Sequence, residues 1–453
     1  MSPAKSTGLK RSSTEDGSVS PPPVKRKAQS SITEKAVASF FTPASQKEPE
    51  KITWRIVHDS LLVGRYLTEP APTNRPAQHS RRKVAAFDFD STLISSASGL
   101  RFARDATDWK WWQPSVLSRL QSLHHDGYLV VILSNQGGIS LKSDSKSLKS
   151  DLKRLGDFKR KVTAVFTQLD LPISIYAATS RDRFRKPRTG MWEQLLEDFH
   201  LTAAHQIDLD ASFFVGDAGG RTGYSGGGVS KDHSCCDRDF ATNVGIKFLT
   251  PEEYFLEEEP KDFVREFDPA KYLNNGATSS ADATSVIFLK ENPLDVVLFC
   301  GSPGAGKSTF YWNYLKPLGY ERINQDILKT REKCLKKAAE LVKEGTAVVV
   351  DNTNPDPDTR AHWVKLARNF NVPIRCIHFT ASPRLCEHND VVRSLNATMN
   401  PEKRAMLPKL AFTGFASRYR EPKLEEGFQD ITKVDFTFKG TPEEENIWRK
   451  FWI

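Results

Sequence analysis

The chain has 453 residues, a length that predicts two or three domains, and its 38% hydrophobic and 27% charged residues are typical of a globular protein. No apolar run approaches the roughly 20 residues of a membrane span, and the polar N-terminal stretch lacks the apolar core of a signal peptide. The six cysteines form no C-x-x-C pair, which argues against a disulfide framework and for an intracellular protein. The net charge of +9 is compatible with binding to a polyanion such as nucleic acid but does not establish it.

Residues 1–50 are rich in Ser, Pro and Lys, and such a segment buries too little apolar surface to offset its chain entropy. We therefore expect a disordered tail. Its basic pairs and triplets, Lys10-Arg11 and Lys25-Arg26-Lys27, are typical of a nuclear localisation signal, so we expect a nuclear protein.

The same tail carries an apolar residue three positions before paired aromatics. Exposed aromatics in a disordered segment indicate a binding partner. The spacing resembles a sliding-clamp-binding peptide, and the residues concerned are Val37, Phe40 and Phe41. A sliding clamp is therefore a predicted partner.

Beyond the tail, residues 51–272 and 283–453 form two blocks joined by a small-residue linker at 273–282. In both blocks short apolar runs alternate with helical patterns, which predicts an α/β fold with parallel sheets covered on both faces. The predicted strands are Lys83–Phe89, Tyr128–Leu133, Ile173–Ala177, Phe213–Gly216, Asp295–Cys300, Ala347–Val350 and Ile374–Phe379. Ligands of such folds bind beyond the carboxyl ends of the strands.

The first of these strands leads into the sequence F-D-F-D-S-T-L at residues 87–93. Because side chains alternate along an extended strand, Asp88 and Asp90 are expected on one side of it, with Phe89 turned away. A carboxylate that attacks phosphorus needs a metal to offset charge repulsion, and a second acid to protonate the leaving oxygen. The motif predicts Asp88 as nucleophile and Asp90 as acid and base.

Later strand ends supply the remaining parts of a phosphatase. Ser134 and Asn135 are placed to bond a phosphoryl oxygen, and Lys186 to neutralise the transferring group. Asp217 offers oxygen to Mg²⁺, as a hard cation prefers. The predicted metal ligands are Asp88, Asp90 and Asp217 at this site.

These four parts, in this order, resemble the haloacid-dehalogenase (HAD) phosphatase superfamily. The K-P-x-x-G-M variant at 186–191 is similar to its histidinol-phosphatase and polynucleotide-3′-phosphatase branch. The resemblance implies a HAD-like Rossmannoid domain and a further aspartate after Asp217. Asp237 fits that place best, and Asp232 is the alternative.

A basic, aromatic-interleaved stretch lies beside the predicted phosphatase site. Its basic side chains are suited to follow a nucleic-acid backbone, and Phe184 to stack on a base. The residues are Arg181, Arg183, Phe184, Arg185, Lys186 and Arg188.

The second block opens with a strand, the pattern G-x-x-x-x-G-K-[ST] and then a helical pattern, the context of a P-loop. Its backbone cradles phosphates, Lys307 reaches the β- and γ-phosphates and Ser308 ligates Mg²⁺. The predicted ATP-binding residues are Gly301, Ser302, Pro303, Gly304, Ala305, Gly306, Lys307, Ser308 and Thr309.

The sequence after the P-loop contains three candidate residues for the acceptor side of a kinase, Asp326, Asp351 and Arg393. Asp326 is either a catalytic base or a helix N-cap. Asp351 follows a predicted strand, and Arg393 lies in a segment that is either a lid or a solvated helix face.

Asn-x-Asp after the P-loop, D-N-T-N at 351–354 and His-Asn followed by Arg at 388–393 resemble the 5′-kinase domain of the polynucleotide kinase 3′-phosphatase family. The phosphatase-first order is that of its eukaryotic members. The resemblance implies that Asp326 activates a DNA 5′-hydroxyl, Lys307 and Ser308 handle ATP and Mg²⁺, Arg393 is a lid arginine and Asp351 is a substrate-side acid. Animal members begin with a forkhead-associated domain, for which the 50-residue tail has no room.

We therefore predict a monomeric, bifunctional DNA-end-processing enzyme that acts on 3′-phosphate and 5′-hydroxyl termini with Mg²⁺ and ATP. One alternative is a small-metabolite phosphatase and kinase, for which free sugars or nucleosides would be good acceptors. The other is a repair scaffold with one decayed domain, against which the intact Lys307 and the Asp88 and Asp90 pair argue.

Overall fold

A computed structural model describes the protein at residues 51–67, 81–142, 148–223, 231–273 and 288–453. The predicted nuclear localisation signal, the sliding-clamp motif and all but the first residue of the predicted linker lie outside these ranges. Within these ranges no helix is long and apolar enough to cross a membrane.

The first block contains a seven-stranded sheet in the order β1-β2-β7-β6-β3-β8-β9. The five strands from β7 to β9 are parallel to one another, as predicted, and β1 and β2 form an antiparallel hairpin at one edge. A small separate hairpin pairs β4 with β5. The strands are β1 Ile52–Val57, β2 Leu61–Tyr66, β3 Val84–Phe87, β4 Ile94–Ser95, β5 Lys110–Trp111, β6 Leu129–Asn135, β7 Ile173–Ala178, β8 Phe213–Val215 and β9 Lys247–Leu249.

Helices cover both faces of this sheet, and a cluster of buried apolar side chains lies on each side of it. The edge hairpin was not predicted from the sequence. Strand β1 is half exposed and β2 is apolar without alternation, and neither is followed by the helical pattern of a crossover connection. The helices are α1 Val116–His125, α2 Leu148–Leu169, α3 Gly190–Asp198, α4 Cys236–Val244, α5 Pro251–Phe255 and α6 Ala270–Leu273.

The second block contains a five-stranded, fully parallel sheet in the order β11-β12-β10-β13-β14. Its central strands are buried along their whole length, which is why they read as continuous apolar runs in the sequence. The strands are β10 Val296–Cys300, β11 Glu321–Ile323, β12 Val348–Val350, β13 Ile374–Phe379 and β14 Ile431–Val434. The helices are α7 Lys307–Phe310, α8 Gln325–Leu328, α9 Arg331–Lys343, α10 Pro357–Asn369, α11 Pro383–Leu395, α12 Lys409–Arg418 and α13 Pro442–Trp448.

The last residues of the chain pack against both blocks. The indole of Trp448 donates to Asn389 Oδ1 at 2.8 Å, and the Asn389 amide donates to the P-loop carbonyl of Gly304 at 3.0 Å. Three residues later, the backbone of Phe451 exchanges two hydrogen bonds with the Asn243 side chain of α4, at 2.9 and 2.7 Å. The C-terminal segment thus connects the P-loop with the first block.

Candidate active sites

The first candidate site lies at the carboxyl ends of β3, β6 and β8. The backbone N–H of Asp88 donates to the Val215 carbonyl at 2.8 Å, which fixes Asp88 directly beyond the sheet. Lys186 donates from one Nζ to Asp88 Oδ1 and to Asp237 Oδ1, both at 2.8 Å. Asp88 and Lys186 are therefore brought together as predicted, although 98 residues separate them in the chain.

Three carboxylates converge here, those of Asp88, Asp217 and Asp237, with ligand atoms within 4.8 Å of one another. Asp237 also accepts from the Ala218 N–H at 3.1 Å, and a β-carbon at Gly216 would collide with its carboxylate. The glycine in the Gly216-Asp217 pair is thus required by the close approach of α4.

Asp232, the alternative for the further aspartate, has a different place. It accepts from the N–H groups of Gly219 and Arg221 and pairs with the Arg221 guanidinium at 3.0 Å. These bonds close the loop after β8, so the second acid of the site is Asp237.

The Asp90 carboxylate does not join the cluster of Asp88, Asp217 and Asp237, and its predicted role as a metal ligand stays a prediction. Strand β3 ends at Phe87, and Ser91 takes a left-handed backbone conformation with φ 60°. The alternation of an extended strand therefore does not carry on to Asp90. Asp237 is the third carboxylate of the cluster.

The Asp90 carboxylate instead lies beside Gln136 and Lys161. It accepts from the Gln136 amide at 2.7 Å, and Lys161 lies 3.9 Å away. Loss of solvent raises the pKa of Asp90 even though Lys161 and Gln136 oppose the shift. A raised pKa suits the predicted role of general acid.

The predicted phosphate contacts divide into two kinds. The buried Ser134 hydroxyl accepts from the Gln136 amide at 3.0 Å and keeps its own proton for a phosphoryl oxygen. Both ends of the Asn135 amide are taken up by the backbone of Lys186, at 2.9 and 3.2 Å. Asn135 thus orients the backbone of Lys186, and its predicted phosphate contact stays a prediction.

The expected stacking platform is also corrected. Phe184 is only 2% exposed and packs on the core beneath the sheet, so it cannot stack on a base. Basic and aromatic residues alternate here, which suggested a nucleic-acid surface, but the aromatic residue points into the core.

The donor set fits Mg²⁺. Three carboxylates against one ammonium leave an excess of negative charge in a partly buried site, and oxygen donors are those that a hard divalent cation prefers. Burial, together with Asp88 and Asp237, raises the pKa of Asp217 to about 8. Burial would lower the pKa of Lys186, but Asp237 and Asp88 outweigh it and raise that pKa.

A pH-dependent stability follows from Asp217. Because its folded pKa is raised above the unfolded value of 3.8, the folded state holds a proton that the unfolded state has lost between pH 4 and 8. We expect the midpoint of thermal unfolding in EDTA to fall from pH 5 to pH 7.5, more steeply in the wild type than in Asp217→Asn. Parallel pH profiles of the two proteins would contradict this, and saturating Mg²⁺ should flatten the wild-type profile.

Asn243 joins this site to the C-terminus. Besides its two bonds with Phe451, its amide donates to the Pro187 carbonyl at 2.9 Å, next to Lys186. We expect Asn243→Ala to lower kcat at this site by about 3- to 10-fold. The free energy of unfolding should fall by about 3 kcal/mol, since three hydrogen bonds are lost and each contributes about 1 kcal/mol. Thr242→Ala, on the exposed side of the same helix, is the control, and equal effects of the two would refute a specific role.

The second candidate site is the P-loop between β10 and α7. Gly304 has φ 78°, and a β-carbon there would collide with the Cys386 carbonyl of α11, so the loop requires glycine at this point. Lys307 Nζ donates to the carbonyls of Gly301 and Ser302 at 2.9 and 2.6 Å, within its own loop. Burial lowers the pKa of Lys307.

The Ser308 hydroxyl donates to Asp351 Oδ2 at 2.8 Å. Asp351 follows β12, next to β10 in the sheet, and its backbone carbonyl accepts from the Asn324 amide at 2.7 Å. Asp351 thus lies on the Ser308 side of the site. Hydroxyl and carboxylate oxygens side by side fit Mg²⁺ as well.

Asp326 lies in the short helix α8, across the cavity from the P-loop. The N-cap of that helix is Asn324, whose side chain accepts from the N–H groups of Asp326 and Ile327. The alternative role of N-cap is therefore filled by another residue, and the Asp326 carboxylate is 80% exposed towards the cavity. This exposed carboxylate, whose nearest cation is Arg404 Nη1 at 4.0 Å, suits a base.

The cavity has a volume of about 1740 Å³ and is lined by the P-loop, Asp326, Asp351, Arg393 and the segment 434–439. Ligand cavities of about 300–1000 Å³ hold one small molecule, so this one has room for a nucleotide and a second substrate. Charged residues that no sequence motif indicated also line it, among them Arg322, Glu402 and Arg404.

Two family models match the chain. The model described as polynucleotide kinase 3 phosphatase matches residues 83–255, and one described as AAA domain matches residues 296–422. Each contains one of the two sites.

Individual relatives agree with these matches. A bifunctional polynucleotide phosphatase/kinase of Schizosaccharomyces pombe is 40% identical over 404 residues, which covers 89% of this chain and 88% of the relative. A polynucleotide 3′-phosphatase of Saccharomyces cerevisiae is 28% identical over 38% of this chain and 87% of its own length. The polynucleotide 3′-phosphatase ZDP of Arabidopsis thaliana is 38% identical over 38% of this chain and 24% of its own length.

Proposed function

Because the chain belongs to the family of bifunctional polynucleotide phosphatase/kinases, we propose that it removes 3′-phosphates and phosphorylates 5′-hydroxyls at DNA strand breaks, in support of DNA repair. The observation that carries this proposal is the presence of both sites in one chain, each with its parts assembled. The two reactions give a 3′-hydroxyl and a 5′-phosphate, the ends that a ligase joins.

In the phosphatase, Asp88 attacks the phosphorus of the 3′-phosphate. The bond from Asp88 to phosphorus forms, the bond from phosphorus to the 3′-oxygen breaks, and Asp90 gives that oxygen its proton. Water then attacks the aspartyl phosphate, Asp90 takes a proton from the water, and Asp88 and inorganic phosphate are released.

The other residues of this site support both steps. Lys186 and the Ser134 hydroxyl stabilise the charge on the phosphoryl oxygens. Asp88, Asp217 and Asp237 would hold Mg²⁺. When bound, that ion offsets the repulsion between the carboxylate and the phosphate.

In the kinase, the 5′-hydroxyl oxygen forms a bond to the γ-phosphorus of ATP. The bond from the γ-phosphorus to the bridging oxygen breaks, its electron pair leaves with ADP, and the hydroxyl proton passes to Asp326. Lys307 and the P-loop backbone hold the phosphates, while Ser308 and Asp351 would hold Mg²⁺.

The test uses a nicked duplex with a 3′-phosphate and a 5′-hydroxyl, Mg²⁺ and γ-labelled ATP. We expect loss of the 3′-phosphate and label on the 5′ end in one tube. Label on free nucleosides or sugars, with the nick unchanged, would instead support a small-metabolite enzyme.

Nuclear residence is part of the same proposal. It rests on the basic residues of the tail, Lys10-Arg11 and Lys25-Arg26-Lys27. Replacing all five by Ala in a fluorescent fusion should move the protein out of the nucleus, and an unchanged distribution would refute the assignment.

A further inference from the structure

A loop between α11 and α12 places one arginine over the kinase site. The Arg404 N–H donates to Asn400 Oδ1, and the Asn400 amide donates back to the Arg404 carbonyl, both at 2.9 Å. The buried Asp390 of α11 accepts from the Leu407 N–H at 2.8 Å. The backbone on both sides of Arg404 is therefore held by side chains of the protein itself.

The guanidinium of Arg404 lies between the P-loop and the proposed base. Its Nη2 donates to Ser308 Oγ at 3.1 Å, and its Nη1 is 4.0 Å from Asp326 Oδ2. The proposed reaction requires the γ-phosphoryl group to pass between these two residues, since Ser308 belongs to the phosphate loop and Asp326 takes the hydroxyl proton.

Two other arginines near the P-loop are paired with buried carboxylates. Arg393, the predicted lid arginine, pairs with the buried Asp390. Arg322 pairs with Asp351 at 2.5 Å and also donates to Ser308 Oγ at 2.9 Å, while its Nη1 donates to Glu402 and not to Asp326. Of the three, Arg404 is the one that spans the gap between Ser308 and Asp326.

Glu402 holds Arg404 in this orientation. Its carboxylate accepts from Arg404 Nε at 2.7 Å, from Arg322 Nη1 at 2.8 Å and from the Trp312 indole at 3.0 Å. Burial would raise the pKa of Glu402, but Trp312 and Arg322 outweigh it and lower that pKa to about 2, so the carboxylate stays ionised. Arg404 Nη2 also pairs with Glu402 at 2.5 Å, so Glu402 holds the Nε and Nη2 edge of the guanidinium, and Nη1 lies 4.0 Å from Asp326 Oδ2. The contact of Nη2 with Ser308 is the one that a phosphate can replace.

We propose that Arg404 is a catalytic residue of the kinase, donating from its Nη atoms to the γ-phosphoryl oxygens during transfer, and that Glu402 is its positioning residue. The proposal rests on the proposed 5′-kinase function and deepens it. Arg404 gains and loses no proton, and its planar fork matches two phosphoryl oxygens as a lysine cannot.

The test compares Arg404→Ala and Arg404→Lys with Arg449→Ala, which removes an exposed arginine of α13's end. We expect Arg404→Ala to lower kinase kcat by about 10²- to 10³-fold, with the ATP KM within about threefold of wild type. Lys should restore only part of the rate. A kinase kcat within threefold of wild type in Arg404→Ala would overturn the proposal.

A binding measurement separates this role from a structural one. Calorimetry with ADP and Mg²⁺, with and without aluminium fluoride, compares the ground state with a mimic of the transferring group. In Arg404→Ala, aluminium fluoride should no longer increase the affinity for ADP. The affinity for ADP alone should stay that of the wild type. If the affinity for ADP falls equally with and without aluminium fluoride, the catalytic role is refuted. This test does not depend on the DNA substrate: failure of the wild type to phosphorylate DNA would refute the proposed function but not the role of Arg404.

The role of Glu402 has its own test. If Glu402 acts only through Arg404, Glu402→Gln should lower kcat by about tenfold in the wild-type background and have no further effect in Arg404→Ala. Additive losses would show that Glu402 does not position Arg404.

Discussion

Asp88→Asn should abolish the release of phosphate from 3′-phosphate ends, with a loss of at least about 10⁴-fold, while 5′ phosphorylation stays within about twofold of wild type. Loss of a covalent nucleophile is the most costly single change in enzymes of this kind. An asparagine is similar in size and keeps an oxygen for Lys186, so the fold has little reason to change. Single-turnover assays of both activities on the same nicked duplex measure the result.

The two sites lie on separate sheets, which is why the effects should separate. Ser118→Ala, on the exposed face of α1, is the control for handling and expression. If Asp88→Asn silenced the kinase too in a folded protein, the two-site description would fail. Residual phosphatase above about 1% would mean that another group is the nucleophile.

Lys307→Ala should have the converse effect, a fall in kinase kcat on the order of 10³-fold with the phosphatase unchanged. Lys307 is buried at the start of α7, and among the described residues its Nζ bonds only to carbonyls of its own loop, which a phosphate can replace as acceptors. Removing one preorganised donor from a developing charge costs about 10²- to 10³-fold. The P-loop backbone keeps its glycines in the variant, so ATP should still bind, more weakly.

Lys316→Ala is the matched control, because Lys316 is an exposed lysine in the same helical stretch that pairs with Glu321. Kinase and phosphatase rates on one labelled substrate report both effects at once. Normal transfer to the 5′ end by Lys307→Ala would remove the P-loop from the mechanism.

Much of this arrangement could be predicted from the sequence because the relevant information is local. The strands that lead to Asp88, Ser134, Asp217 and Gly301 are short runs of buried apolar residues, and all were found within a few residues of their observed ends. A parallel sheet brings the carboxyl ends of such strands to one edge. Asp88 and Lys186 could therefore be assigned to one site without a structure.

Predictions that depended on where a side chain points were less secure. Asp88 and Asp90 were expected on one side of an extended strand, but β3 ends at Phe87 and the chain turns, so the Asp90 carboxylate lies outside the carboxylate cluster. Phe184 was expected at the surface because its neighbours are basic, but its side chain is buried in the core. The Asn135 amide is hydrogen-bonded to the backbone of Lys186, a partner 51 residues away that no local motif indicates.

The chemistry and the order of the two sites were thus set by local motifs, since a nucleophilic aspartate and a P-loop each need only a few adjacent residues. The choice of Asp237 over Asp232, the place of Asn243 between the C-terminus and Pro187, and the reach of Arg404 to Ser308 became visible with the folded chain. Each depends on contacts between residues far apart in the chain, and spacing within a motif carries no information about such contacts. The energy of those contacts arises from packing and electrostatics in three dimensions, where burial and neighbouring charges decide which carboxylate or guanidinium is free to react.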